Sequence, residues 1–225
     1  MKWSAARRAV RGPSGLGAIA VGTILLVSCV TTAPIGEKST ERTVAFPTYT
    51  VPAPEGEGWG VERDAAKERV FFRKKTTLGP FENVLQAQST IAVFKVPFSE
   101  EGAKRSEEAL ANGYLEEEHQ DMLERGVATK TYRLGEVKKA VETMGGRKLY
   151  AMRYTTERPG HKSEAALFVY VPPDYVARRA FYGFLIEELW ETGSTTSPGL
   201  GGIEPVIAGF TLRPGTLPAG SHPAN

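Results

Sequence analysis

Apolar and polar positions alternate along most of the middle of the chain, and one long helical stretch interrupts that period. Gly58-Trp59-Gly60-Val61-Glu62-Arg63 reads as a turn feeding a short strand, with Trp59 pointing inward. Arg69-Val70-Phe71-Phe72-Arg73-Lys74 predicts a second strand and Ser89 to Val96 a third, with Ile91 and Val93 on one face and Thr90, Ala92 and Phe94 on the other. Charges take over at Ser99. This serine can cap a helix whose first turn holds Glu100 and Glu101, the favoured sign at that end of the dipole. The helix is expected to run toward Arg125, with Ala103, Leu110, Tyr114, Leu115, His119 and Met122 at helical spacing. Asn112-Gly113 offers a break and Gly126 a stop.

The period then returns to two. Lys130–Leu134 and Val137–Val141 are short alternating pieces, and Gly145-Gly146 turns the chain into a strand over Lys148–Thr155. Ala165 to Val171 is apolar on both faces, as in a central strand covered on each side. Arg179 to Trp190 suits a strand by its Phe, Tyr and Ile content, although Phe181, Leu185 and Leu189 would also serve a helix; we read a strand. After a Gly, Ser, Thr and Pro loop, Ile203 to Phe210 reads as a short terminal helix. Strands, one long helix, more strands and a short C-terminal helix make an α+β, mainly antiparallel domain over residues 45–212.

The two ends lack this patterning. Residues 30–44 are polar, aperiodic and broken by Pro34 and Gly36, which predicts a flexible tether; 213–225 holds three prolines and two glycines and predicts a disordered tail. Residues 1–28 differ again. A basic start (Lys2, Arg7, Arg8, Arg11) leads into an uncharged apolar run from about Leu16 to Val27, the layout of a secretory signal peptide. That run is short of the ~20 apolar residues of a comfortable membrane span.

The run ends in Leu26-Val27-Ser28-Cys29, and Cys29 is the chain's single cysteine. This segment resembles the lipobox of bacterial lipoproteins. The resemblance implies a diacylglycerol thioether on Cys29, cleavage by signal peptidase II between Ser28 and Cys29, and acylation of the new α-amine. One acyl chain binds a bilayer only marginally, at ~0.8 kcal/mol per buried CH₂, whereas two or three hold a protein there stably. Val30 stands where an aspartate resembles an inner-membrane retention signal, so the expected place is the outer membrane where the cell has two.

The anchor changes the meaning of the composition. The 28 Lys and Arg against 26 Asp and Glu give +2, but four of those bases and none of the acids lie in residues 1–28. The remainder, with 24 bases against 26 acids, is slightly acidic and offers no clustered positive field for nucleic acid. A lone cysteine consumed by lipid leaves no disulfide, thiolate metal site or cysteine nucleophile.

Candidate chemistry in the domain is sparse. His119 follows Glu116-Glu117-Glu118 and precedes Asp121, but consecutive acids on a helix point in different directions and ligands must converge. His161 lies in a Pro-Gly-His-Lys turn and His222 in the tail. The glycines of 56–60 and 198–202 lack the Lys-Ser/Thr of a phosphate loop, and no serine stands in a nucleophile motif. No metal, cofactor or catalytic residue is therefore expected, although any two of the acids could meet as an unmarked carboxylate pair. The aromatic residues of the strands (Phe71, Phe72, Phe94, Tyr150, Tyr154, Phe168, Tyr170, Phe181, Tyr182 and Phe184) either fill the core or line an apolar pocket.

Gly58-Trp59-x-Val61 opening the first hairpin, the helix after Pro97, and Ile203-x-Pro205-Val206-Ile207-x-x-Phe210 resemble the PsbP-like fold of the photosystem II extrinsic subunit and many small bacterial lipoproteins. Over Ala45 to Thr211 the resemblance implies an α/β/α sandwich and a non-catalytic role. The expectation is a membrane-tethered accessory module that binds another envelope component, with a carrier of a small hydrophobic ligand as the alternative and a carboxylate hydrolase behind it.

Overall fold

The computed structural model describes residues 30–34, 37–38, 41–78, 85–129, 132–192 and 200–214. The signal segment 1–28, the cleavage and lipidation positions Ser28 and Cys29, and the tail from 215 lie outside the described residues.

Strands β1 (Val30–Pro34) and β2 (Glu37–Lys38) precede β3 (Thr43–Ala45), β4 (Tyr49–Pro52), β5 (Gly60–Asp64), β6 (Arg69–Leu78) and β7 (Leu85–Pro97). Helices α1 (Glu100–Ala103) and α2 (Glu107–Thr129) lead to the meander β8 (Arg133–Met144), β9 (Arg147–Arg158) and β10 (His161–Tyr170). The turn α3 (Tyr175–Arg178) comes before β11 (Ala180–Glu191). A 3-10 turn, Leu200–Ile203, then opens onto α4 (Glu204–Gly209) and β12 (Thr211–Leu212).

The main sheet has the order β2-β5-β6-β7-β11-β10-β9-β8, all antiparallel. One edge of β6 is shared: β5 pairs its first half, Arg69–Arg73, and β1 its second half, Lys74–Leu78. Helix α2 carries the chain from β7 to the far edge at β8, and the meander β8 to β11 returns until β11 pairs β7. A second sheet, β12-β4-β3, covers the opposite face with α4.

Two cores follow from strand alternation. Phe72, Ile91, Val93, Phe168, Tyr182 and Phe184 face the small sheet and α4. There Phe210 is the hub, its ring 5.1 to 5.3 Å from those of Phe184, Tyr182 and Tyr49. Tyr150, Met152, Leu167, Val169 and Phe181 face the other way, onto Ala111, Leu115 and Met122 of α2.

The α+β class holds, but the expected architecture needs correction. In place of an α/β/α sandwich, one face of the main sheet carries a helix and the other a second sheet with only the six-residue α4. The cause lies in the segment read as a tether. Val30–Pro34, Glu37–Lys38 and Thr43–Ala45 are strands, and β3 supplies the outer strand of the covering sheet. The helix expected to run from Ser99 toward Arg125 is divided, between Ala103 and Glu107 and not at Asn112-Gly113. Ser99 caps α1, its Oγ accepting from the Gly102 amide at 3.3 Å, and the chain restarts at Ser106, whose Oγ accepts from the Ala109 amide at 3.2 Å. Gly113 and Gly126 lie inside α2 and do not end it. The pieces expected at Lys130–Leu134 and Val137–Val141 meet in the single strand β8, which starts at Arg133 and is interrupted by a bulge between Leu134 and Val137, while Lys130 and Thr131 lie outside the described residues.

Candidate functional site

A cleft of about 350 Å³ opens between the second half of α2 and the face of the main sheet it crosses. Alternation places its floor. Arg69 and Phe71 of β6, Phe94 of β7, and Leu185 and Glu187 of β11 share one face of three neighbouring strands. Tyr154 and Arg158 of β9 extend it, and α2 closes the other side with Tyr114, Glu118, Met122 and Arg125, spaced by three or four residues along one helical stripe. Tyr132 reaches back onto α2, donating its hydroxyl to the Met122 carbonyl.

Most charges here have partners. Arg158 pairs with Glu187 at 3.5 Å, and its guanidinium carbon lies 5.9 Å from the centre of the Tyr132 ring. Arg125 pairs with Asp121 one helical turn back. Burial, and next the neighbouring Glu118 carboxylate, push the Tyr114 hydroxyl well above its ordinary range; burial and then Glu187 do the same to Tyr154. Both phenols therefore stay protonated donors at any physiological pH.

Arg69 is different. Its guanidinium carbon stands 5.5 Å from the Phe94 ring centre and 5.8 Å from that of Phe71, while its buried Nε meets no acceptor among the described residues. The Phe94 ring has room because Gly183 is its cross-strand partner; a Cβ at 183 would fall 2.4 Å from the ring.

The aromatic residues split between the two roles considered from sequence. Phe72, Phe168, Tyr182 and Phe184 pack in the first core, whereas Phe71, Phe94 and Tyr154 line the cleft. Sequence reading did not find Arg69, Arg125, Arg158, Glu118 or Glu187 as a group, because they come from four elements spread over more than a hundred residues. The available signal was charge inside strands at the spacing of inward residues, as in Arg69-x-Phe71 and Leu185-x-Glu187.

His119 is half-buried on α2 and His161 receives only a 3.4 Å contact to the Pro159 carbonyl. Among the described residues no three His, Cys, Asp or Glu side chains converge as metal ligands, and no helix is long and apolar enough to cross a membrane.

No protein-family model matches the chain, and no curated protein matches its sequence. Among solved structures, it is similar to LpqN of Mycobacterium tuberculosis, described as involved in cell envelope biogenesis. The two are 12% identical, with a TM-score of 0.38, covering 84% of this chain and 92% of that one. A likeness this shallow defines neither a common fold nor a common role.

Proposed function

We propose that this chain is a membrane-tethered module of the bacterial cell envelope that works by binding, with the cleft under α2 as its binding site and lipid on Cys29 as its anchor. The cleft carries the reading: a concavity in which Phe, Tyr, Leu and Met side chains alternate with five charged ones offers an apolar wall and polar groups to the same small molecule. Its acids support binding over hydrolysis, since Glu187 is committed to Arg158 and Glu118 faces the Tyr114 hydroxyl. A carboxylate pair that activates water needs two acids open to the same substrate. The lipobox-like Leu26-Val27-Ser28-Cys29 supports the envelope location and the anchor.

An accessory module for another envelope protein and a carrier of a small molecule both use such a site. The cleft favours the carrier, because its volume of about 350 Å³ suits a small molecule better than a protein surface.

Native mass spectrometry of the acylated protein, released from its own membranes in a mild detergent, tests this. The expected spectrum shows a non-covalent adduct that disappears in a Leu185→Trp variant, whose new side chain fills the cleft without adding a charge. A spectrum with no companion in either protein contradicts the proposal.

A further inference from the structure

Within the cleft two charged side chains form no ion pair among the described residues, the acid Glu118 and the cation Arg69. Arg158 answers Glu187, Arg125 answers Asp121, and Glu118 faces a phenol hydroxyl. Arg69 forms no ion pair among the described residues, and its Nε is a buried donor without an acceptor. A buried donor on a cation loses its hydration, and leaving it unpaired is unfavourable. The rings of Phe71 and Phe94 hold the guanidinium by their π faces, which orients a cation without neutralising it. Gly183 keeps the Phe94 platform in place. Beyond Arg69 the walls turn apolar, with Leu185, Leu167 and Met122.

We infer that the cleft takes an amphiphile with one anionic oxygen-bearing head, a carboxylate or a phosphate, seated on Arg69, with its apolar body along Phe94, Leu185, Leu167 and Met122. The inference rests on the α2 cleft being the binding site and adds the ligand's class. Arginine suits this head because its planar fork meets two oxygens at once. At about 350 Å³ the cleft lies near the small end of the ~300–1,000 Å³ span of such sites, so the body it encloses is short.

Calorimetric titration of the full acylated protein in phosphatidylcholine nanodiscs, corrected against empty nanodiscs, reads this directly. The probes are decanoate, decyl phosphate and decanol, which share a chain and differ in the head. The two anions should bind at least tenfold more tightly than decanol, and the tighter of the two identifies the natural head as carboxylate or phosphate. Arg69→Met should remove the preference for anions and leave decanol unchanged, while Arg69→Lys should restore part of it. The contrast among probes uses the unaltered protein, so it decides the matter even if the Met variant fails to fold. Decanol binding as tightly as the anions overturns the assignment of the head but leaves the cleft as the site. Failure of all three probes to bind also overturns the inference; the adduct found or lost in the membrane-extracted protein then decides separately whether the cleft binds anything.

Discussion

Glu188 is only 5% exposed, on the side of β11 that holds Ile186 in the first core, and accepts a hydrogen bond from Ser89 Oγ at 2.6 Å. Burial pushes its carboxyl up to about 7 against the opposing effects of Ser89 and Lys74, and Glu187 adds to the rise. The sign of the linkage follows. Between the ordinary carboxylate range and pH 7 the unfolded chain has released this proton while the native state keeps it, so stability falls as pH rises through that window. Glu188→Gln removes the effect. Thermal melts should show the variant more stable than the parent by about 2 kcal/mol above pH 7 and equal to it near pH 4, and an equal gain at both pH values would refute this account. Arg147 works at a different junction. It donates to the carbonyls of Ile207 at 2.7 Å and Phe210 at 2.5 Å, tying the end of α4 to the β8–β9 turn. At that turn Gly145 has φ +56°, and a Cβ on it would meet the Ala208 backbone at 2.6 Å. Arg147→Met should lower stability by about 2–3 kcal/mol, or roughly 5–10 °C in Tm, by removing the charged donor from the Phe210 carbonyl and from that of Ile207, which keeps its bond from the Phe210 amide. Such roles were illegible in sequence. Alternation says that Arg69 and Glu188 belong to strands, but not which face is covered or which neighbour answers the charge.

At the scale of elements, the segments with a clear period were legible and the aperiodic ones were not. Aromatic and β-branched content correctly placed a strand at Arg179–Trp190, seen as β11, and the apolar run after Ala165 is indeed central, in β10 between β9 and β11. The N-terminal strands were missed because β1 to β3 are two to five residues long and take their order from partners elsewhere in the chain. Glu68 shows how the two sheets are fastened. It accepts from the Thr48 amide at 3.2 Å, from the Thr48 hydroxyl and from Lys95 Nζ at 2.8 Å, while Tyr49 donates to its carbonyl at 2.7 Å. Burial alone would raise the Glu68 carboxyl, yet these hydrogen bonds hold it below its ordinary range. Its contribution is therefore lost as pH falls through that lowered value. Strand β8 ends the sheet, and an open edge invites pairing with another chain. Glu136 and Lys138, paired with each other at 3.2 Å and highly exposed, keep it charged beside the bulge. Replacing both by valine should produce concentration-dependent oligomers in light scattering; a double variant as monodisperse as the parent would show that this edge is protected by other means.

For the whole molecule, the order of the N-terminal residues would decide how a domain lipidated on Cys29 meets a bilayer. β1 starts at Val30, the residue after Cys29, and Val30 pairs with Leu78 at the end of β6. A lipid on Cys29 would thus be joined almost directly to the sheet, with no long spacer between them. Arg69 stands at the other end of the same strand, nine residues or about 30 Å away at ~3.3 Å per residue. With a lipid on Cys29, strand β6 itself would set the cleft off from the bilayer. The claim that a folded binding domain is held at a membrane through one thioether is tested most directly by the intact mass of the protein purified from its own membranes. The predicted mass is that of residues 29–225 with two or three acyl chains, and Cys29→Ser should yield a chain without that added mass. A protein that retains residues 1–28, or that begins at Cys29 with an unmodified thiol, would contradict the account.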